Sequence, residues 1–191
     1  DGAAQHYFGG TPDGSRPGIY YAHLSDMTAM PKRELEVIAY HEGLPGHHMQ
    51  ISIAQELEGI PIFRTQAGFT AYSEGWGLYS ESLGKELGMY TDPLQYFGSL
   101  FGDIWRANRL VVDTGMHALG WTREDAIEYM ASNSPITDTD VVAEVERYIA
   151  IPSQALAYKI GQLKIRELRN RAEETLGDQF DVRAFHDLVL T

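Results

Sequence analysis

Residues 41–48 read His-Glu-Gly-Leu-Pro-Gly-His-His, and the Pro45-Gly46 pair inside that run restricts how the surrounding chain can fold. Proline removes a backbone donor and kinks a helix, while glycine tolerates the distortion. A helix entering this stretch therefore either runs on through a kink or is broken and re-entered. On a continuous helix each residue advances ~100°. His48, seven positions after His41, then returns to nearly the same face, and His47 points away. On a broken helix His47 can take that place.

The residue types point to metal chemistry. In the H-E-x-x-H pattern of zinc hydrolases, two imidazoles one turn apart grip the ion and the glutamate activates a water. Pro45 holds the fifth position here, so the variant is H-E-x-x-P-G-H-H. Three of the chain's seven histidines fall within these eight residues, with Glu42 beside the first, and that density argues against incidental packing. We take His41 and His48 as ligands, with His47 as the alternative to His48. A third ligand is expected from Ala71–Glu81, where Glu74 and Glu81 are seven apart and share one helix face. Their neighbours are small or aromatic, and buried carboxylates need a cation or hydrogen bonds. Ser73, Gly75 and Gly77 leave room for close approach at Glu74, which is the candidate ligand. Glu81 is then the candidate partner of a ligating histidine.

These segments carry a resemblance. Asp13–Gly18, His41–Gln50, Ala71–Glu81, Arg109–Thr122 and Pro152–Gly161 together resemble the bacterial zincin-like family called domain of unknown function 885. That family is in turn similar to the helical gluzincin metallopeptidases. The resemblance implies a mainly α, zincin-like domain with a short edge strand or small β element near the N-terminus. It implies that residues 1–191 are a single zincin-like catalytic domain fragment, the C-terminal part of a longer protein whose N-terminal part is a partner. It also implies Zn²⁺ held by two motif histidines and a downstream glutamate. Gluzincins commonly use a tyrosine or histidine of a later helix to stabilise the oxyanion. Tyr158, whose position matches a family motif, is the first candidate for that role and His117 the second. The expected activity is hydrolysis of a peptide or small amide, with Glu42 as general base and then acid. The alternative is a helical module that binds metal or peptide without turnover.

Composition narrows the classes further. The 15 basic and 27 acidic residues give a net charge of −12, which argues against a nucleic-acid partner. Zero cysteines remove thiolate ligands and disulfides, leaving imidazole and carboxylate to hold any metal. That absence fits the cytoplasm or an envelope compartment equally. No apolar run approaches the ~20 residues of a membrane span. Arg109 or Arg147 can bind a substrate carboxylate or pair with the abundant acids.

Along the chain, residues 1–18 are rich in Gly, Pro, Asp and Ser and read as loop. Ile19–Leu24 reads as a short strand, the expected edge strand, with His23 able to face the site. Pro31 sits in the first turn of a helix that enters the motif and runs on through Ile51–Leu57. Further helices are expected over about Thr70–Leu87, Leu94–Gly115, Ala126–Ser132, Val141–Ile149 and Pro152–Leu176. Phe97, Leu100, Phe101, Ile104 and Trp105 recur at helical spacing and are expected in the core. The charged second half of the last helix reads as a solvated face.

Overall fold

The structure, a computed structural model, describes residues 5–22 and 31–191. Its elements in chain order are β1 (His6–Phe8), β2 (Ile19–Tyr21), α1 (Lys32–Glu42), α2 (His47–Glu56), α3 (Ile62–Gln66), α4 (Thr70–Glu86), α5 (Pro93–Ala118), α6 (Arg123–Asn133), α7 (Asp138–Ala150), α8 (Gln154–Leu176) and α9 (Val182–Leu190). A single 3-10 turn, Gly177–Gln179, joins the last two. The fold is mainly α with a small β element at the N-terminal end.

Side-chain caps set the starts of α5, α6, α7 and α9. The Asp92 side chain accepts from the Leu94 N–H, with Pro93 in the first turn of α5. Thr122 and Asp125 form a reciprocal capping box ahead of α6. Thr137 and Asp181 cap α7 and α9. Each cap satisfies amide donors that the first turn leaves orphaned, worth about 1 kcal/mol apiece.

Two apolar clusters hold the helices together. In one, Trp76, Tyr79 and Leu83 of α4 pack on Ile165 of α8 and Leu190 of α9. In the other, Phe101 and Val112 of α5 meet Ala126 and Met130 of α6, Val141, Val145 and Tyr148 of α7, and Ala155 of α8. Each large apolar side chain so buried contributes roughly 1.5–3 kcal/mol. Helices α4 and α8 approach backbone to backbone. A β-carbon on Gly161 would stand 1.8 Å from the Ala71 carbonyl oxygen, and one on Gly75 would stand 2.4 Å from Gly161 Cα. Both glycines are required by that backbone contact.

Several expectations change. Residues 6–8, read as loop, form β1, which pairs antiparallel with β2 in the register His6–Tyr21, Tyr7–Tyr20 and Phe8–Ile19. Three residues followed by Gly9-Gly10 carry no strand pattern of their own; pairing with β2 makes them a strand. β2 ends at Tyr21, and His23 lies outside the described residues. The helix through the histidine motif is broken, since α1 stops at Glu42 and α2 begins at His47. Of the stripe on α5 only Phe101 is buried, Trp105 is half-buried, and Phe97, Leu100 and Ile104 face solvent. The inner side of α5 carries glycines and charged groups beside Phe101 and Val112. A β-carbon at Gly98 would meet the Arg33 carbonyl oxygen at 1.8 Å. The charged residues in the second half of α8 face solvent except Arg169 and Glu173, which are half-buried and paired, Arg169 also holding both Glu86 carboxylate oxygens.

Candidate metal centre

The break between α1 and α2 builds the site. The Gly43 N–H closes α1 on the Ala39 carbonyl, and the chain turns through Leu44 and a cis Pro45. Gly46 passes so near the end of α1 that a β-carbon there would lie 1.9 Å from the His41 carbonyl oxygen. Trp76 of α4 donates its indole N–H to the Pro45 carbonyl at 2.8 Å, tying the turn to the core. The first residue of α2, His47, thereby packs edge-on against His41 with ring centroids 4.6 Å apart.

Glu74 of α4 completes the group. Its Oε2 lies 3.3 Å from His41 Nε2 and 3.3 Å from His47 Nε2. One donor atom from each of these three residues falls within 4.8 Å of the others. His48 is not in the group. Its Nδ1 instead accepts the Tyr7 hydroxyl at 2.8 Å, on the side of α2 facing the β-hairpin. The geometry thus gathers His41, His47 and Glu74, with the alternative histidine in the place given first to His48. The phase argument for His48 required an unbroken helix, and Pro45-Gly46 breaks it.

Glu81, one heptad after Glu74, holds the other nitrogen of His41, with Nδ1 to Oε1 2.8 Å. With Nδ1–H given to that carboxylate, the proton that leaves on neutralisation is the one on Nε2, the nitrogen that faces Glu74 and His47. Gly77 makes this seating possible, because a β-carbon there would stand 2.7 Å from the imidazole Cε1. Burial works against the charged form of His41, yet hydrogen bonds to Glu74 and Glu81 outweigh it and lift its pKa to about 9. Burial pushes the Glu74 carboxyl up, but the two imidazoles overcome that and hold it well below its usual range. Glu42 behaves oppositely. Burial raises it, and the attraction of His41 and His47 offsets only part of the rise. The Tyr7 backbone N–H also favours the charged form of Glu42.

These residues line one cleft of about 700 Å³ between the β-hairpin, α1, α2, α4, α5, α7 and α8. Tyr158 stands in its wall, with its ring stacked on His41 at 6.0 Å and its hydroxyl accepting from Gln154 Nε2 at 3.3 Å. His117 is elsewhere, with Nε2 donating to the Tyr148 carbonyl at 3.1 Å as a tie between α5 and α7. It stands in the last turn of α5, not in mid-helix, and does not line the cleft. Arg109 and Arg147 do line it, and both pair with Glu144 there, at 2.9 and 3.4 Å. Sequence reasoning missed Tyr7 and Arg106. Tyr7 lay in a stretch read as loop. Arg106, which reaches Glu81 at 3.5 Å, sits one helical turn from the apolar stripe and carried no motif. A separate apolar groove of about 800 Å³ between α8 and α9 contains none of the clustered residues.

No curated protein matches this chain. The whole chain aligns with the crystal structure of a candidate lipoprotein from Colwellia psychrerythraea at a TM-score of 0.97 and 51% identity, covering 100% of this chain and 33% of that one. A solved candidate lipoprotein of unknown function from Shewanella oneidensis matches 88% of this chain and 33% of its own, with a TM-score of 0.78 at 22% identity, a likeness of fold alone. The chain thus spans about a third of the length of these two solved relatives. The five stretches that suggested a family are spread over the region its pattern covers, residues 1–191, and the chain belongs to the family described as bacterial protein of unknown function, DUF885.

Proposed function

We propose that the protein is a zinc-dependent hydrolase acting on peptide or small amide bonds, with His41, His47 and Glu74 as the metal-holding residues. The observation that carries this reading is the convergence of those three donors from three different helices. The donor set fits the ion, since two imidazoles and one carboxylate are the ligand types zinc takes in catalytic sites. The Glu81 bond to His41 Nδ1 is the outer support such ligands usually have. When bound, zinc supplies Lewis-acid polarisation of a carbonyl and acidification of water near neutral pH.

The chain's own residues then divide the remaining work. Glu42, with a carboxyl raised by burial, is suited to take a proton from the attacking water and deliver it to the leaving amine. The Tyr7 backbone N–H favours the charged form of that carboxyl. Tyr158, stacked on His41, is the candidate donor to the oxygen that gains charge as the carbonyl becomes tetrahedral.

Metal content by mass spectrometry tests the site directly. Wild type and His48→Ala are expected to purify with near one zinc per chain, and His47→Ala and Glu74→Ala without it. Zinc retained in His47→Ala but lost in His48→Ala overturns the assignment. Wild type should then cleave members of a peptide library, and Glu42→Gln should lose at least 100-fold in rate while keeping zinc. Zinc present with no Glu42-dependent cleavage favours the non-catalytic binding module.

A further inference from the structure

Helix α5 turns its charged side chains inward, beside the core residues Phe101 and Val112, and leaves a row of apolar ones in water. On an ordinary surface helix the charged side chains face water and the apolar ones face the core. Here the four charged residues are all engaged with the rest of the molecule. Asp103 accepts from Lys159 Nζ at 2.7 Å, and Arg106 reaches Glu81 at 3.5 Å. Arg109 pairs with Glu144 at 2.9 Å, and Asp113 accepts the Ser153 N–H at 3.0 Å. The face turned to solvent carries Phe97, Leu100, Ile104 and Val111, exposed by 49, 50, 42 and 37%. Ala107, Thr114 and Ala118 continue the row.

The positions 97, 100, 104, 107, 111, 114 and 118 alternate steps of three and four residues. That is the seam of a coiled-coil contact, in which knobs of one helix enter holes of another. It runs for roughly 30 Å along the helix, and no charged residue interrupts it. Contiguous apolar surface of this kind marks an interface.

Two features indicate what covers it. The relative from Colwellia psychrerythraea, 51% identical across this entire chain, has only 33% of its own chain in the match. Two thirds of that polypeptide therefore lie outside the matched region. In addition, two copies of this chain would bring charges of −12 and −12 together, which opposes self-pairing. A segment tethered to the same polypeptide arrives at high effective concentration and loses little freedom on docking.

We propose that a helix from the polypeptide outside residues 1–191 packs along the 97–118 seam of α5. It presents its own Leu, Ile or Val row at the same spacing and crosses α5 at roughly 20°. The cleft residues Gly98, Gly102, Arg106 and Arg109 occupy the opposite side of α5. The docked helix therefore braces the cleft wall from behind without entering it, and the proposal stands independently of the metal reading.

Photo-crosslinking in the full-length gene product tests it, with p-benzoylphenylalanine in place of Leu100 or, separately, Ile104. The expected result is a crosslink, mapped by mass spectrometry, to a helical segment of the same polypeptide outside these 191 residues. The same probe at Glu124, whose side chain is 76% exposed, is the background control. A crosslink to α5 of a second copy, in a species of doubled mass, overturns the proposal, as does a yield no greater than at Glu124. The chain has no cysteine, so Ile104→Cys and Glu124→Cys give a second readout. Maleimide should label the seam thiol at least tenfold more slowly, and equal rates overturn the proposal.

Discussion

A β-carbon added at Gly77 would sit 2.7 Å from Cε1 of the His41 ring, and the ring has nowhere to retreat. Glu81 holds one of its nitrogens and Glu74 approaches the other. Gly77→Ala is therefore expected to swing the imidazole out of line, weakening zinc binding at least tenfold in a competitive chelator titration. Its overpacking cost to the fold should be about 1–3 kcal/mol. Glu81→Gln replaces the charged acceptor of His41 Nδ1–H with a neutral amide oxygen and should weaken zinc about 10–100-fold with the fold intact. Glu144 gives a pH signature. Burial pushes its carboxyl up, but Arg109, Tyr148 and Arg147 bring it below its ordinary value of 4.5. As pH falls, the unfolded chain takes this proton first, so the stabilisation is complete above that value and is lost in the range beneath it. Denaturant titrations should show Glu144→Gln destabilised by roughly 3–5 kcal/mol at neutral pH, because buried Arg109 loses its partner. Its stability should also fall less steeply than wild type on acidification.

At the scale of elements, the close backbone contact of α4 with α8 fixes the helix that presents Glu74 to the cleft. Gly161→Ala would force a methyl to within 1.8 Å of the Ala71 carbonyl and so separate the two helices. The expected result is a loss of several kcal/mol in chemical denaturation, exceeding that of an exposed Ala-for-Gly change, together with reduced zinc occupancy. Elements of this kind were legible in the sequence, because Pro93, the Thr122–Asp125 box and Thr137 announce helix starts through local bonds. The Glu74–Glu81 spacing was legible for the same reason, since both lie on one unbroken helix. Features decided between elements were not. The choice between His47 and His48 depended on where the chain turns after Gly43, and β1 exists only through its pairing with β2. Periodicity located the apolar face of α5, but nothing local says that its charged residues are the ones met by α4, α7 and α8. His117 looked unusual only because its acceptor, the Tyr148 carbonyl, is 31 residues away.

For the whole molecule, candidate ligands drawn from α1, α2 and α4 would link metal binding to folding, since the unfolded chain does not hold the three donors together. Zinc at about 100 times its Kd should add about 2.7 kcal/mol to wild-type stability, and calorimetry should show a rise in Tm that disappears with chelator. His47→Ala should show no zinc-dependent rise, whereas His48→Ala should keep it. The same three-helix arrangement frees the second imidazole from helical pitch. Because α1 stops and α2 restarts between His41 and His47, their separation along the chain is fixed by a turn. A genome scan that requires a histidine three residues after the glutamate passes over this chain. One written as His-Glu-x-x-Pro-Gly-His recovers it, and a glutamate on a later helix that reaches both imidazoles separates genuine hits from chance ones.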